Sequence, residues 1–95
     1  MNSMMQTPPR VSVLMPVYNA GSTLDEALAS VLAQSLTRWE IVAVDDGSTD
    51  DSAEILRRWA RRDMRLRPIF AEHGGVVAAA NLGLASCRGE YVARM

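Results

Sequence analysis

The chain is short of the residues that most often carry chemistry. It has one cysteine, Cys87, one histidine, His73, and no lysine among its 95 residues. A single cysteine excludes an internal disulfide and fits a reducing compartment best. One histidine and one cysteine cannot build a zinc site without carboxylates, and their spacing matches no zinc pattern. The basic residues are ten arginines, against eleven acidic residues, for a formal net charge of −1. That balance leaves no global electrostatic case for nucleic acid or an anionic membrane as partner. Long apolar runs are missing too: none reaches transmembrane length, and the start, MNSMMQTPPR, has no signal-peptide core. Internal repeats and low-complexity segments are absent. What is present is an apolar fraction of 48%, enough for a core within one small domain. Residues 1–10 read as a flexible arm, and the fold is expected from Val11.

Apolar periodicity organises the rest. VSVLMPV, from Val11, is β-branched and apolar on both faces, as suits a strand covered on both sides. Pro16 ends its ladder and YNAGS is the turn that follows. A helix is expected from Ser22, with Leu24, Ala27, Leu28, Val31 and Leu32 on one face. Ser22 or Thr23 is the expected cap, with Asp25 and Glu26 favouring the positive end of the dipole. WEIVAV is the second strand. A second helix is expected from about Asp51, with Ile55, Leu56, Trp59 and Ala60 inward and Asp51–Glu54 resembling a capping box. LRPIFA is a weaker strand whose Pro68 suggests a sheet edge. GGVVAAANLGLAS is a small-faced third helix, and GEYVARM opens a fourth strand. The alternation predicts an α/β fold: a parallel Rossmann-like sheet, β-α-β-α-β-α-β, with helices on both faces.

Such sheets bind ligands outside the carboxyl ends of their strands, and the second strand ends there in DDGSTDD. Gly47, Thr49, Asp50 and Asp51 suit a turn and a helix cap. Asp45 and Asp46 are harder to explain as turn residues, because paired like charges at a strand's end cost free energy unless a ligand or donor compensates. An ionised carboxylate accepts hydrogen bonds without needing a donor of its own, which suits the pairing edge of a base such as uracil or guanine, or ribose hydroxyls. The dinucleotide fingerprint G-x-G-x-x-G is not there; VYNAGSTL offers one glycine after the first strand.

Three blocks in order, VSVLMPVYNAGSTLDEALASVLAQS, WEIVAVDDGSTDDSAEIL and GGVVAAANLGLASCRGEYVARM, resemble the amino-terminal half of the family 2 glycosyltransferases, which have the GT-A fold. The resemblance runs from about Val11 to Met95. It implies transfer of a sugar from a nucleotide diphosphate sugar (UDP, GDP or dTDP type) to an acceptor, with inversion, and a role in cell-envelope polysaccharide synthesis. It implies that Pro16, Val17 and Tyr18 line the base pocket, that Asp46 accepts from the base with Asp45 supporting the loop, and that the helix start carrying Gly75 and Asn81 lies beside the nucleotide. Two positions depart from the family pattern: Ala80 stands where many members have arginine, and His73 where many have asparagine. In the family the strand matching GEYVARM runs into an Asp-x-Asp metal motif, with the catalytic base far beyond it. On this reading residues 11–95 are the nucleotide-binding part of a GT-A domain that stops before the metal motif. No catalytic residue or metal ligand is assigned in this chain. Magnesium or manganese is expected for the full-length enzyme, and the segment is expected to be inactive alone. The missing carboxyl-terminal half also leaves an open sheet edge, through which self-association is expected. The expected location is cytoplasmic, or peripheral at the inner face of a membrane.

Other features have plainer readings. Arg57, Arg58, Arg61, Arg62 and Arg65 form a solvated basic face. Cys87 is a small, largely buried hydrophobe, and His73 a loop residue with phosphate contact as its alternative. Trp39 and Trp59 are core or strand-edge aromatics, while Tyr18 either packs or stacks on a base. Two competing functions stay open at this point: a receiver-type phospho-acceptor domain, and a non-catalytic nucleotide-binding or assembly module. The receiver pattern places its aspartate pair after the first strand and needs a lysine; here the pair follows the second strand and lysine is absent.

Overall fold

A computed structural model describes residues 9–34 and 38–95. The expected arm, up to residue 8, lies outside the described residues. Seven elements alternate: β1 (Val11–Val17), α1 (Gly21–Leu32), β2 (Trp39–Asp46), α2 (Ser52–Arg62), β3 (Leu66–Ala71), α3 (Val76–Ser86) and β4 (Tyr91–Arg94). The strands form one parallel sheet in the order β3-β2-β1-β4. All eight residues of β2 are buried, which its WEIVAV run requires of a strand covered on both faces. Pro68, opposite Ala43, lies on the edge strand β3, where its missing N–H costs no ladder bond on the outer side.

Two apolar clusters sandwich the sheet. On one face Leu24, Leu28 and Leu32 of α1 and Ile55 and Leu56 of α2 pack on Met15, Val17, Ile41, Ala43 and Leu66. On the other, Ala79 of α3 meets Leu14, Val42 and Val44. Burying one such leucine contributes about 1.5–3 kcal/mol. The small face of α3 has a packing reason: a Cβ on Gly83 would lie 2.2 Å from Leu14 Cδ1 and 2.8 Å from Val44 Cγ2. Only a glycine lets α3 come this close to the sheet.

The helix starts differ from the local expectation. α1 begins at Gly21 with Ala20 at the cap position, and neither Ser22 nor Thr23 caps it. The Gly21 N–H instead donates to Asp50 Oδ2 at 2.9 Å, and the Ala20 N–H to Ser52 Oγ at 2.9 Å. The expected Asp51–Glu54 capping box does not form either; Asp50 Oδ1 accepts the Ser52 N–H at 2.9 Å. One carboxylate therefore caps two helices. Asp25 lies beyond the first turn of α1 and accepts from Trp59 Nε1 at 2.7 Å and Arg58 Nη2 at 2.9 Å.

The basic face on α2 is partly structural. Arg58 pairs with Asp25 and Arg65 with Asp63, while the Arg57 and Arg62 guanidiniums lie over the rings of Phe70 and Trp59. Trp39 is buried and Trp59 half-buried. At the amino end of the sheet, Glu40 of β2 is buried and accepts from Ser12 Oγ, Arg67 Nη1, Arg88 Nε and the Arg88 N–H at 2.6–3.1 Å. Cys87, next to this cluster, is half-buried, and burial pushes its thiol pKa up.

Candidate functional site

Period-two alternation sends the side chains of Asp45 and Asp46 to opposite faces of the sheet. The like-charge crowding expected from the sequence is thereby relieved. Asp45 follows Ala43 toward α1 and α2; it is 4% exposed, and its Oδ1 has no hydrogen-bond partner. Asp46 follows Val44 toward α3 and is equally buried. Its Oδ1 accepts the Gly74 N–H at 2.9 Å and its Oδ2 the Gly75 N–H at 3.0 Å. His73 Nδ1 lies 3.0 Å from the same Oδ2 and 3.1 Å from the Asp46 carbonyl oxygen. The Gly74 N–H, with the Gly75 N–H and His73 beside it, holds the Asp46 carboxyl below the usual carboxylate range against the opposing effect of burial.

The loop around this carboxylate is fixed from several sides. Gly47 has φ +72°, and a Cβ there would lie 2.5 Å from the His73 backbone nitrogen; both facts require glycine. Asn19 adopts φ +48° after β1, a conformation asparagine tolerates. Its N–H donates to Ser48 Oγ at 2.9 Å, and its Oδ1 accepts the Thr49 N–H at 2.8 Å. The Asp50 clamp adds a further tie, and its carboxyl is held low by the Ser52 side chain, then by the Gly21 and Ser52 N–H groups. Sequence reading named neither Asn19 nor Ser48, and treated Asp50 as a cap for its own helix. An asparagine in a strand–helix turn facing a serine- and threonine-rich turn was the available signal.

The residues singled out from the sequence fall into three groups. Asp46 and Gly75 are in direct contact, and Tyr18 stands beside them with its ring stacked on His73 at 4.4 Å between centroids. Val17 is buried in the core under α1, and Pro16 borders an open apolar depression shared with Leu24, Ala27 and Met95. Asn81 is exposed in the second turn of α3. Among the described residues no group of three or more His, Cys, Asp or Glu side chains is placed to hold a metal ion. No helix among them is long and apolar enough to cross a membrane.

A parallel sheet with helices on both faces defines a Rossmann-like α/β fold, and the carboxyl ends of its strands are where such sheets bind ligands. The chain belongs to glycosyl transferase family 2, whose family model matches residues 12–95. The glycosyltransferase EpsJ of Bacillus subtilis is 40% identical over 84 residues, 88% of this chain and 24% of EpsJ. The putative teichuronic acid biosynthesis glycosyltransferase TuaG of the same organism is 40% identical over 86 residues, 90% of this chain and 34% of TuaG. Among solved structures, the mannosyltransferase PcManGT from Pyrobaculum calidifontis, in complex with GDP-Man and Mn2+, superposes with a TM-score of 0.81 at 33% identity over 90% of this chain and 26% of its own. S. aureus TarS in complex with UDP-GlcNAc gives 0.81 at 30% identity, again over 90% of this chain and 26% of its own. The fold is the GT-A arrangement that the sequence resemblance implied. The chain spans 24–34% of the length of these relatives.

Proposed function

We propose that this chain is the donor-recognition part of an inverting glycosyltransferase and binds a nucleotide diphosphate sugar at the carboxyl ends of β1 and β2. The observation that carries this reading is the Asp46 carboxylate, ionised at the strand's end and held there by neutral N–H groups and an imidazole. A carboxylate offers about four lone-pair sites. Oδ2 has two donors near it, Gly75 and His73, whereas Oδ1 has only Gly74. The remaining Oδ1 site accepts the pairing-edge N–H of the base. Tyr18 provides the ring face beside it, Asp45 and Asp50 support the loop, and Gly75 and Asn81 flank the nucleotide on α3. Val17 contributes through its backbone and by fixing the floor, since its side chain is in the core.

Transfer itself makes further demands. The departing nucleoside diphosphate needs its charge neutralised, and the acceptor hydroxyl needs a general base. The described residues offer no metal-holding group, so they do not fit the manganese seen with the mannosyltransferase neighbour. The 95 residues alone are therefore expected to give no transfer with magnesium or manganese. Acceptor-dependent release of nucleoside diphosphate above a heat-treated control overturns that expectation.

The test of base recognition leaves the protein untouched, because Asp46→Asn also disturbs the Gly74–Gly75 loop. Calorimetric titration of UDP, GDP and dTDP identifies the base. The same nucleotide methylated at its pairing N–H should then bind roughly 10- to 100-fold more weakly, as loss of a charge-assisted hydrogen bond requires. Equal affinities for the two ligands show that Asp46 serves only the loop.

A further inference from the structure

The geometry around His73 reaches past base recognition. Its Nδ1 lies 3.1 Å from the Asp46 carbonyl oxygen and 3.0 Å from Asp46 Oδ2. A carbonyl oxygen accepts only, so Nδ1 carries the proton and the tautomer is fixed. Nε2 makes no hydrogen bond to the described residues, and the side chain is 56% exposed, with Tyr18 covering one face of the ring. The backbone cannot move away, because the two following N–H groups are held by the same carboxylate and Gly47 packs against the His73 nitrogen.

A carboxylate thus orients an imidazole by Nδ1 and leaves Nε2 facing outward. The Nδ1 contact is the same in the neutral and the protonated ring. Protonation adds a proton at Nε2 and one positive charge, and leaves the anchor unchanged. Histidine is the side chain that changes charge between about pH 5 and 8. The other titratable groups around it are Asp46 on β2, Tyr18 after β1 and the exposed neighbour Glu72. The Asp46 carboxyl is held below its ordinary value. None of the three supplies a positive charge.

From this we infer that His73 is a diphosphate-binding residue whose Nε2 contacts the diphosphate of the nucleotide sugar and makes its binding proton-dependent. The inference rests on the nucleotide reading given above. It assigns to the chain's only histidine a contact with an anionic ligand. The sign follows directly. With the ring protonated an N–H donor and a positive charge face the diphosphate; with the ring neutral, a lone pair does. Affinity for the nucleotide sugar rises as pH falls.

The experiment measures binding of UDP-GlcNAc and of GDP-mannose to the wild-type chain and to His73→Asn from about pH 8 to about pH 5.5. Sugar-esterified diphosphates are the right probes because they hold a constant charge over this range, whereas the terminal phosphate of free UDP titrates. Asparagine can still donate to the Asp46 carbonyl, so the anchor survives. The wild type should gain roughly fivefold in affinity across the range, the size of one exposed charge contact, and His73→Asn should stay flat at the wild-type value of high pH. Uridine, which lacks phosphate, should show no pH slope with either protein. Equal slopes in the two proteins, or a slope with uridine, overturn the diphosphate contact while leaving nucleotide recognition standing. Failure of both nucleotide sugars and of a dTDP-sugar to bind at every pH overturns the two readings together. Nitrogen NMR of the single imidazole decides independently of any variant's folding: the Nδ1–H tautomer is expected at high pH, and a dominant Nε2–H tautomer overturns the inference.

Discussion

Strand β2 carries buried carboxylates at both ends, and the surroundings of Glu40 and Asp46 are opposite in kind. At the amino end Glu40, 1% exposed, meets the guanidiniums of Arg67 and Arg88, the Ser12 hydroxyl and the Arg88 N–H. Burial alone would raise its pKa; the Ser12, Arg88 and Arg67 hydrogen bonds outweigh it and hold the carboxyl below its ordinary value. At the carboxyl end Asp46, 4% exposed, has two glycine N–H groups and one imidazole. Glu40 is neutralised by fixed cations and closes the connection from α3 to β4. Asp46 keeps its negative charge at the carboxyl end of β2, beside the loop that leads into α3. The same side-chain class is a structural lock where arginines surround it, and an anchor for the loop before α3 where glycine N–H groups and an imidazole do.

Breaking the lock should have the largest effect. Glu40→Ala leaves Arg67 without its carboxylate and removes the tie to the Arg88 loop. Breaking a fully buried pair costs about 3–5 kcal/mol. With the Arg67 and Arg88 side chains 35% and 55% exposed, about 2–4 kcal/mol is expected. Urea unfolding measures it, and a loss within error of zero would show that water replaces the carboxylate adequately.

Acid should act on both ends at once. Glu40, Asp46, Asp50, Asp25 and Asp63 all have carboxyls held below their ordinary values. A folded-state pKa below the unfolded one gives stability that is complete above the unfolded value and is lost as pH falls through the folded one. The denaturation midpoint should therefore hold down to about pH 5 and fall steadily below about pH 4. In Glu40→Gln the fall should be shallower, because its largest buried acid is gone. Parallel curves for the two proteins would assign the acid sensitivity to the other carboxylates.

Gly83→Val sharpens the contrast by disturbing one side only. A Cβ at this position already meets Leu14 and Val44, so a β-branched side chain must push α3 outward, at about 1–3 kcal/mol. The Gly74–Gly75 loop that precedes α3 should loosen with it. Amide exchange should speed up at Gly74 and Gly75 and much less at Arg88, whose N–H is held by Glu40. Equal acceleration at both places would mean that the two ends are one cooperative unit.

The smallest effect is expected in the capping aspartates. Asp50 uses both carboxylate oxygens, one on Gly21 and one on Ser52, while Asp51 makes no side-chain cap bond. Asparagine keeps one acceptor oxygen, so Asp50→Asn should lower the melting temperature modestly and Asp51→Asn should leave it unchanged. Equal melting temperatures for the two variants would remove the clamp from the account.

Much of this was legible in the amino-acid order. The β-branched run that stops at Asp45 marked a strand and its polar end, Pro68 marked an edge, and the small residues of α3 marked a small-faced helix. The misreadings were local signals outcompeted by distant ones. Ser22, Thr23 and the Asp51–Glu54 spacing are sound cap signals, but Asp50 reaches Gly21 across 29 positions and satisfies that helix first. Neither Asn19 nor Ser48 carries a pattern of its own; each matters because the other faces it.

The sequence by itself determined the alternation of strands and helices, the second strand and its acidic end, because periodicity and β-branching act between near neighbours. Tertiary structure alone decided what each acid does. Pleating sent Asp45 and Asp46 to opposite faces, and strand pairing brought Arg67 to Glu40. The return of the chain to α3 placed His73 and two glycine N–H groups on Asp46. The reason is physical: a carboxylate's pKa, partners and use depend on the donors within hydrogen-bond reach, and for Glu40 and Asp46 those donors come from 27 or more positions away along the chain.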